Sequence, residues 1–165
     1  MYYLNSFFIY SIVGFIMEST VYKINKIVRY SGVFYGPVTT VYGFGVLAIL
    51  LVNKYFLSKL KVKKILKIII TFIVLMLILT LIEFLGGTIL HNIFHFDMWN
   101  YTNKDFNIGK YISLDLALTW GLFGIIFLYV VKPFMDKIIA IIPNKVTIFS
   151  FFVFLIDIFA TLITK

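Results

Sequence analysis

A chain of 165 residues that is 62% hydrophobic and 13% charged, with a mean hydropathy of +1.03, lacks the polar surface of a soluble domain, in which about a quarter of residues are charged. The formal net charge is +8, and every cationic residue but Arg29 is a lysine, most of them between apolar runs. That pattern excludes the basic stripe of a nucleic-acid binder and fits loop charges that orient spans against membrane lipids with anionic headgroups. The absence of cysteine excludes disulfides, thiolate metal sites and thiol nucleophiles.

The apolar runs predict five membrane spans, at residues 4–22, 37–53, 66–90, 112–131 and 146–164, each near the roughly 20 residues that carry a helix across a bilayer. The connections are 23–36, 54–65, 91–111 and 132–145. Backbone in lipid must bond within its own segment, and these runs lack the alternation of barrel strands. The fold class expected is therefore all-α, a polytopic membrane helix bundle of about five transmembrane helices. With no internal repeat and no linker, residues 1–165 read as a single integral membrane domain.

Span 1 opens MYYLNSFF, without a basic region ahead of its apolar stretch, and is read as retained rather than cleaved. It contains Glu18. The connection 23–36 leads through GVFYGPVTTVYGFG, where Gly36-Pro37 predicts the start of span 2, with Pro37 at the first helical position. Tyr42 and Gly43 then fall in the opening turns of that span. Span 3 contains Glu83, followed by Gly86-Gly87, which could loosen the helix. Both glutamates of the chain thus lie inside apolar spans, where a carboxylate costs a few kcal/mol and usually faces a bundle interior or wet cavity.

Past span 3, His91 and His95 stand four residues apart and would share a helical face. Position 92 is Asn, so the HExxH signature is missing, and neither metal nor cofactor is expected. Trp99, Tyr101, Tyr111, Tyr30 and Tyr35 fit an interfacial aromatic belt. Ser113 is a natural N-cap for span 4, with Asp115 in its first turn complementing the helix dipole. Glycines 43, 45, 86, 87, 121 and 124 read as close-packing positions between helices in lipid. Span 5 contains Asp157.

A rise of about 1.5 Å per residue sets Glu18 roughly 21 Å along span 1, with Glu83 comparably deep in span 3. Spans 2 and 4 run the other way, so Tyr42, Gly43 and Asp115 are expected on the same leaflet. With the N-terminus inside, nine cationic residues (Lys54, Lys59, Lys61, Lys63, Lys64, Lys67, Lys132, Lys137 and Lys145) are cytoplasmic against six outside. The bias favours N-in, C-out.

An ordered set of motifs resembles the Putative ABC-transporter type IV family of small multi-span bacterial membrane proteins. It comprises FFIYSIVGFIMEST with Gly14 and Glu18, and RYSGVFYGPVTTVYGFG with Arg29, Gly32, Gly36, Pro37, Tyr42, Gly43 and Gly45. Glu83 follows in LIEFLGG, then Trp99, Tyr101, Asn107 and Gly109 in WNYTNKDFNIGKYISL, then Trp120-Gly121 and Pro133. Thr40, Asn100 and Lys110 depart from the family pattern. The resemblance implies a permease in the cytoplasmic membrane. The sequence has no GxxxxGK[ST] phosphate loop, so a separate ATPase subunit is implied, with the Lys-rich connection 54–67 as a candidate contact surface.

The leading expectation is thus a permease or substrate-binding membrane subunit, associating with itself or another chain. Its polar site would draw on Glu18, Arg29, Gly36, Pro37, Tyr42, Gly43, Glu83, Trp99, Tyr101, Asn107, Gly109 and Asp115, with no catalytic residue. Glu18 and Glu83 would exchange protons or contact a cation, Arg29 would hold an anionic group, and Trp99 would wall the pocket. The alternatives are a membrane-embedded enzyme acting on a lipid or polyprenyl substrate and a non-catalytic membrane regulator.

Overall fold

Six helices account for most of the chain in the computed structural model, which describes residues 1–27, 31–95 and 97–165. They are α1 (Tyr2–Ile24), α2 (Thr40–Tyr55), α3 (Lys64–Phe94), α4 (Leu114–Ile126), α5 (Lys132–Ala140) and α6 (Asn144–Thr164). A 3₁₀ turn at Leu57–Lys59 follows α2, and a π-helical turn at Phe127–Val131 joins α4 to α5. Two short strands, β1 (Asn107–Ile108) and β2 (Ile112–Ser113), pair antiparallel, with Asn107 opposite Ser113 and Ile108 opposite Ile112. Five helical segments are long and apolar enough to cross a membrane: Tyr2–Ile24, Thr40–Lys59, Lys64–Phe94, Leu114–Ala140 and Asn144–Thr164. The chain is an all-α, polytopic membrane protein.

The chain divides into two compact units, one of Met1–Val46 with Lys137–Lys165 and the other of Leu47–Asp136. In the first, α1 meets α2 and α6 through aromatic and small polar residues. Phe7 stacks edge-on to Phe44 at 5.0 Å between ring centres, and Phe8 and Phe34 stack edge-on to Phe154 at 5.8 and 5.4 Å. Thr147 donates a buried 2.5 Å hydrogen bond to Asn5 Oδ1, a polar link between helices of the kind that lipid surroundings favour. Gly43 is the contact point of α2 on α1, since a Cβ there would run into Ser11 and Phe7. The ring of Tyr42 covers Gly14 in the same way.

Helix α1 ends in a Schellman motif. Lys26 takes φ 54°, its N–H bonds Lys23 O at 3.2 Å, and the Ile27 N–H bonds Tyr22 O at 2.8 Å. These bonds satisfy carbonyls that the helix end would otherwise leave bare.

Helix α2 begins at Thr40 and not at Pro37, which corrects the expected start. The Val38 N–H bonds Gly36 O at 2.8 Å, so Pro37 is the centre of a three-residue turn that its ring-fixed φ suits. The Thr39 N–H bonds Ser11 O on α1 at 3.0 Å. The backbone is thereby committed to non-helical partners before the helix opens.

In the second unit, α4 lies along α3. Gly121 faces the ring of Phe72 and Gly124 faces Leu75, and a Cβ at either would sit 2.8–2.9 Å from those side chains. Below this seam Ile49, Leu57, Leu75, Leu79 and Leu128 form a buried cluster, with Trp120 and Phe127 packed on it. Helix α3 runs unbroken through Gly86-Gly87, so the glycine pair does not loosen it. It stops at His95, whose φ of 55° takes the backbone left-handed.

The expected connection 132–145 is mostly helix, because α5 continues to Ala140. Pro133 would break a regular α-helix, having no N–H and a ring that clashes with the carbonyl four residues back. The π turn immediately before it changes that spacing, a recognised way of passing such a residue.

Candidate functional site

Glu83 is the only carboxylate among the buried residues described, at 6% exposure. Tyr101 OH donates to its Oε1 and Trp120 Nε1 to its Oε2, each at 2.7 Å. Helix α4 supplies Trp120, and the loop after α3 supplies Tyr101, whose own N–H is anchored on Lys110 O at 2.7 Å. Both oxygens therefore receive a neutral donor. Among the described residues no cationic side chain pairs with Glu83.

One turn further along α3, Gly87 admits the loop. A Cβ there would lie 2.8 Å from the Tyr111 ring and 3.2 Å from Trp99 Nε1. Trp99 and Tyr111 meet edge to face at 6.5 Å. The Trp99 Nε1 atom is buried and has no hydrogen-bond partner among the described residues. This layer is tied down by Asp97, which accepts from Tyr111 OH at 2.5 Å and from Lys110 Nζ at 3.3 Å, with His91 Nδ1 2.9 Å away. The Tyr111 bond, helped by Lys110, holds the Asp97 carboxyl below its ordinary range. Desolvation and the carboxylate beside it push the Tyr111 phenol up to about 12. Tyr101 and Tyr111 are thus more than belt residues.

The remaining sequence candidates of this unit share no described hydrogen bond with Glu83, although the Asp115 charge reaches it. Asp115 accepts from Lys104 Nζ and, at 2.6 Å, from Ser113 Oγ. Ser113 occupies the N-cap position of α4 but makes no side-chain cap bond. Asn107 and Gly109 shape the hairpin, with Asn107 Nδ2 on Gly109 O at 2.9 Å and Gly109 at φ +63°. Neither touches Glu83 through any hydrogen bond described here. His95 is a helix cap, His91 faces Asp97, and among the described residues no three potential ligands gather as a metal site.

In the first unit, Glu18 is half-buried and accepts from Tyr22 OH at 2.5 Å and from Ser31 Oγ at 2.7 Å. Ser31 also meets Thr39 Oγ1 at 2.9 Å. Asp157 receives the Tyr35 and Gly36 N–H groups at 2.9 and 2.8 Å. Gly36 is required there, because a Cβ would come within 2.8 Å of Asp157 Oδ2. Pro37, Tyr42 and Gly43 set the path of the chain into α2. Arg29, like Tyr30, lies outside the described residues.

Sequence reasoning did not name Tyr22, Ser31, Asp97 or Trp120 as members of these networks. Tyr22 was readable, standing four residues after Glu18 on the same helical face. Trp120 carried no local signal, being 37 residues from Glu83.

A search of curated proteins and a search of solved structures each returned no match. A family model described as Putative ABC-transporter type IV matches residues 5–164. It covers both carboxylate networks and all five candidate spans, and the chain belongs to that family.

Proposed function

We propose that this protein is the permease-type, substrate-binding membrane subunit of a transporter whose energy comes from a separate ATPase subunit. The observation that carries the reading is Glu83, a carboxylate buried within a membrane-spanning helix whose hydrogen-bond donors among the described residues are neutral. Such a group is costly in lipid and in membrane proteins marks substrate, ion or proton pathways. A proton or cationic group arriving at Glu83 would complete the charge balance. Trp99, whose buried indole N–H has no partner among the described residues, would wall the site beside Tyr101. Glu18 in the first unit, with its Tyr22 and Ser31 donors, would play a similar part.

Family membership supports the transporter assignment and makes an ATPase partner reasonable. The lysines around 54–67 would face that partner from the cytoplasm, with the protein in the cytoplasmic membrane and its N-terminus inside. The test is a Glu83→Gln exchange at the native locus. The variant should fold and co-purify with the same ATPase as the wild type, yet lose cation-coupled uptake into membrane vesicles. Unchanged uptake across a panel of inorganic cations and organic amines would refute the assignment of Glu83.

A further inference from the structure

We propose that the groove between the loop before β1 and the first two turns of α4 holds one phospholipid with a zwitterionic, primary-amine headgroup. The groove is open, offers about 450 Å³ and lies wholly in the second unit, within the roughly 300–1,000 Å³ range of small-molecule pockets. Its lining is of two kinds, the charged Lys104, Asp105 and Asp115 and the apolar Phe106, Leu114 and Leu118.

The apolar lining is continuous with a lipid-facing surface. Leu114 and Leu118 are four residues apart and share a face of α4, and each is 46% exposed on a helix long enough to span the membrane. Phe106 is 80% exposed and held at φ 53°, a left-handed conformation uncommon for an aromatic residue. An exposed phenyl ring within a few residues of a membrane helix is well placed against acyl chains.

The charged lining selects the headgroup. Lys104 pairs with Asp115, yet their side chains remain 43% and 54% exposed, so each has room for a second partner. Lys104 offers a place for a phosphate. Asp115 and Asp105 offer one for an ammonium. Two carboxylates against one lysine disfavour an anionic headgroup that brings no amine. A quaternary amine would bring charge but no N–H to donate to the carboxylates. The Lys104–Asp115 pair stands apart from the hydrogen bonds of Glu83, so this inference does not rest on the transporter reading.

The test is native mass spectrometry of the full chain in detergent, titrated separately with dioleoyl phosphatidylethanolamine, phosphatidylcholine and phosphatidylglycerol. One phosphatidylethanolamine should bind at least tenfold more tightly than either other lipid. The Asp105→Asn/Asp115→Asn double variant should lose that preference, and Leu118→Gln should weaken binding of the preferred lipid several-fold. Should the double variant fail to fold, Lys104→Gln probes the same charged lining and should likewise weaken phosphatidylethanolamine binding. Equal binding of the three lipids, or wild-type preference in a folded variant of the charged lining, would overturn the proposal. So would free phosphoethanolamine competing as well as the whole lipid, because the apolar lining would then have no role.

Discussion

Glu83 and the two side chains that donate to it are a unit whose parts are worth less separately. Glu83→Ala would remove the acceptor that the half-buried Tyr101 and Trp120 side chains share, and each lost hydrogen bond costs about 0.5–1.5 kcal/mol. Glu83→Gln keeps one oxygen acceptor at nearly the same volume and should cost much less. Thermal unfolding in detergent should therefore rank the wild type first, Glu83→Gln close behind and Glu83→Ala well below. An alanine variant as stable as the wild type would mean the bonds contribute nothing.

The Asp97–Tyr111 pair makes a prediction of the opposite chemical sense. The phenol is raised to about 12 in the folded protein from an ordinary value of about 10. Its contribution is therefore fully present below pH about 10 and is lost as pH rises through about 12. The Asp97 carboxyl is lowered, so its contribution is present above the ordinary carboxylate range and disappears as acid protonates it. Tyr111→Phe should remove the alkaline component of a stability-against-pH curve, while Asp97→Asn should flatten the acid limb. Unaltered curves would refute the pairing.

At this scale the sequence disclosed the unusual residue and concealed its company. Glu18 and Glu83 stand out because each is the one acidic residue in its span. Trp120, by contrast, reaches Glu83 only once α4 is laid against α3, and that depends on Gly121 and Gly124 giving way to Phe72 and Leu75.

Among the elements, the path from α1 into α2 shows where local pattern and tertiary contact part. Gly36-Pro37 has the composition of a helix start, but Asp157 on α6 captures the two N–H groups just before Pro37. A carboxylate 121 residues from Gly36 is invisible to any window along the sequence. Asp157→Ala should release the segment, and hydrogen exchange at the Tyr35 and Gly36 amides should accelerate by an order of magnitude or more while the α1 core stays protected. Exchange as slow as in the wild type would show that other contacts hold it.

Gly43 tests the packing of α1 against α2 more sharply, since its missing Cβ is occupied by Ser11 and Phe7. Gly43→Leu overfills that contact and should cost at least the roughly 1–3 kcal/mol typical of overpacking, measured as a lower unfolding midpoint. The glycine reading from sequence was sound at 43, 121 and 124 for this reason: in lipid, close approach of helices needs small residues, whereas Gly87 makes room for the loop residues Trp99 and Tyr111.

For the molecule as a whole, the number and order of the spans were legible because about 20 apolar residues in a row have few other uses. Their ends were less so. Helix α3 runs on through His91 and Asn92 to Phe94, beyond the expected end at 90, and the π turn carries α4 through Pro133 into α5, neither of which hydropathy records. The native chain has no cysteine, so single cysteines can be placed at will. The N-in arrangement predicts that one at Ser58 is labelled only from the cytoplasmic side and one at Asn103 only from the opposite side. The reverse pattern would invert the topology.

The proposed partnership of this membrane subunit with a separate ATPase can be read by native mass spectrometry of the protein gently extracted from its own membrane. It predicts a complex containing an ATPase subunit at fixed stoichiometry, retained in Glu83→Gln. A protein that leaves the membrane with no ATPase, at every extraction strength that keeps it folded, would contradict it.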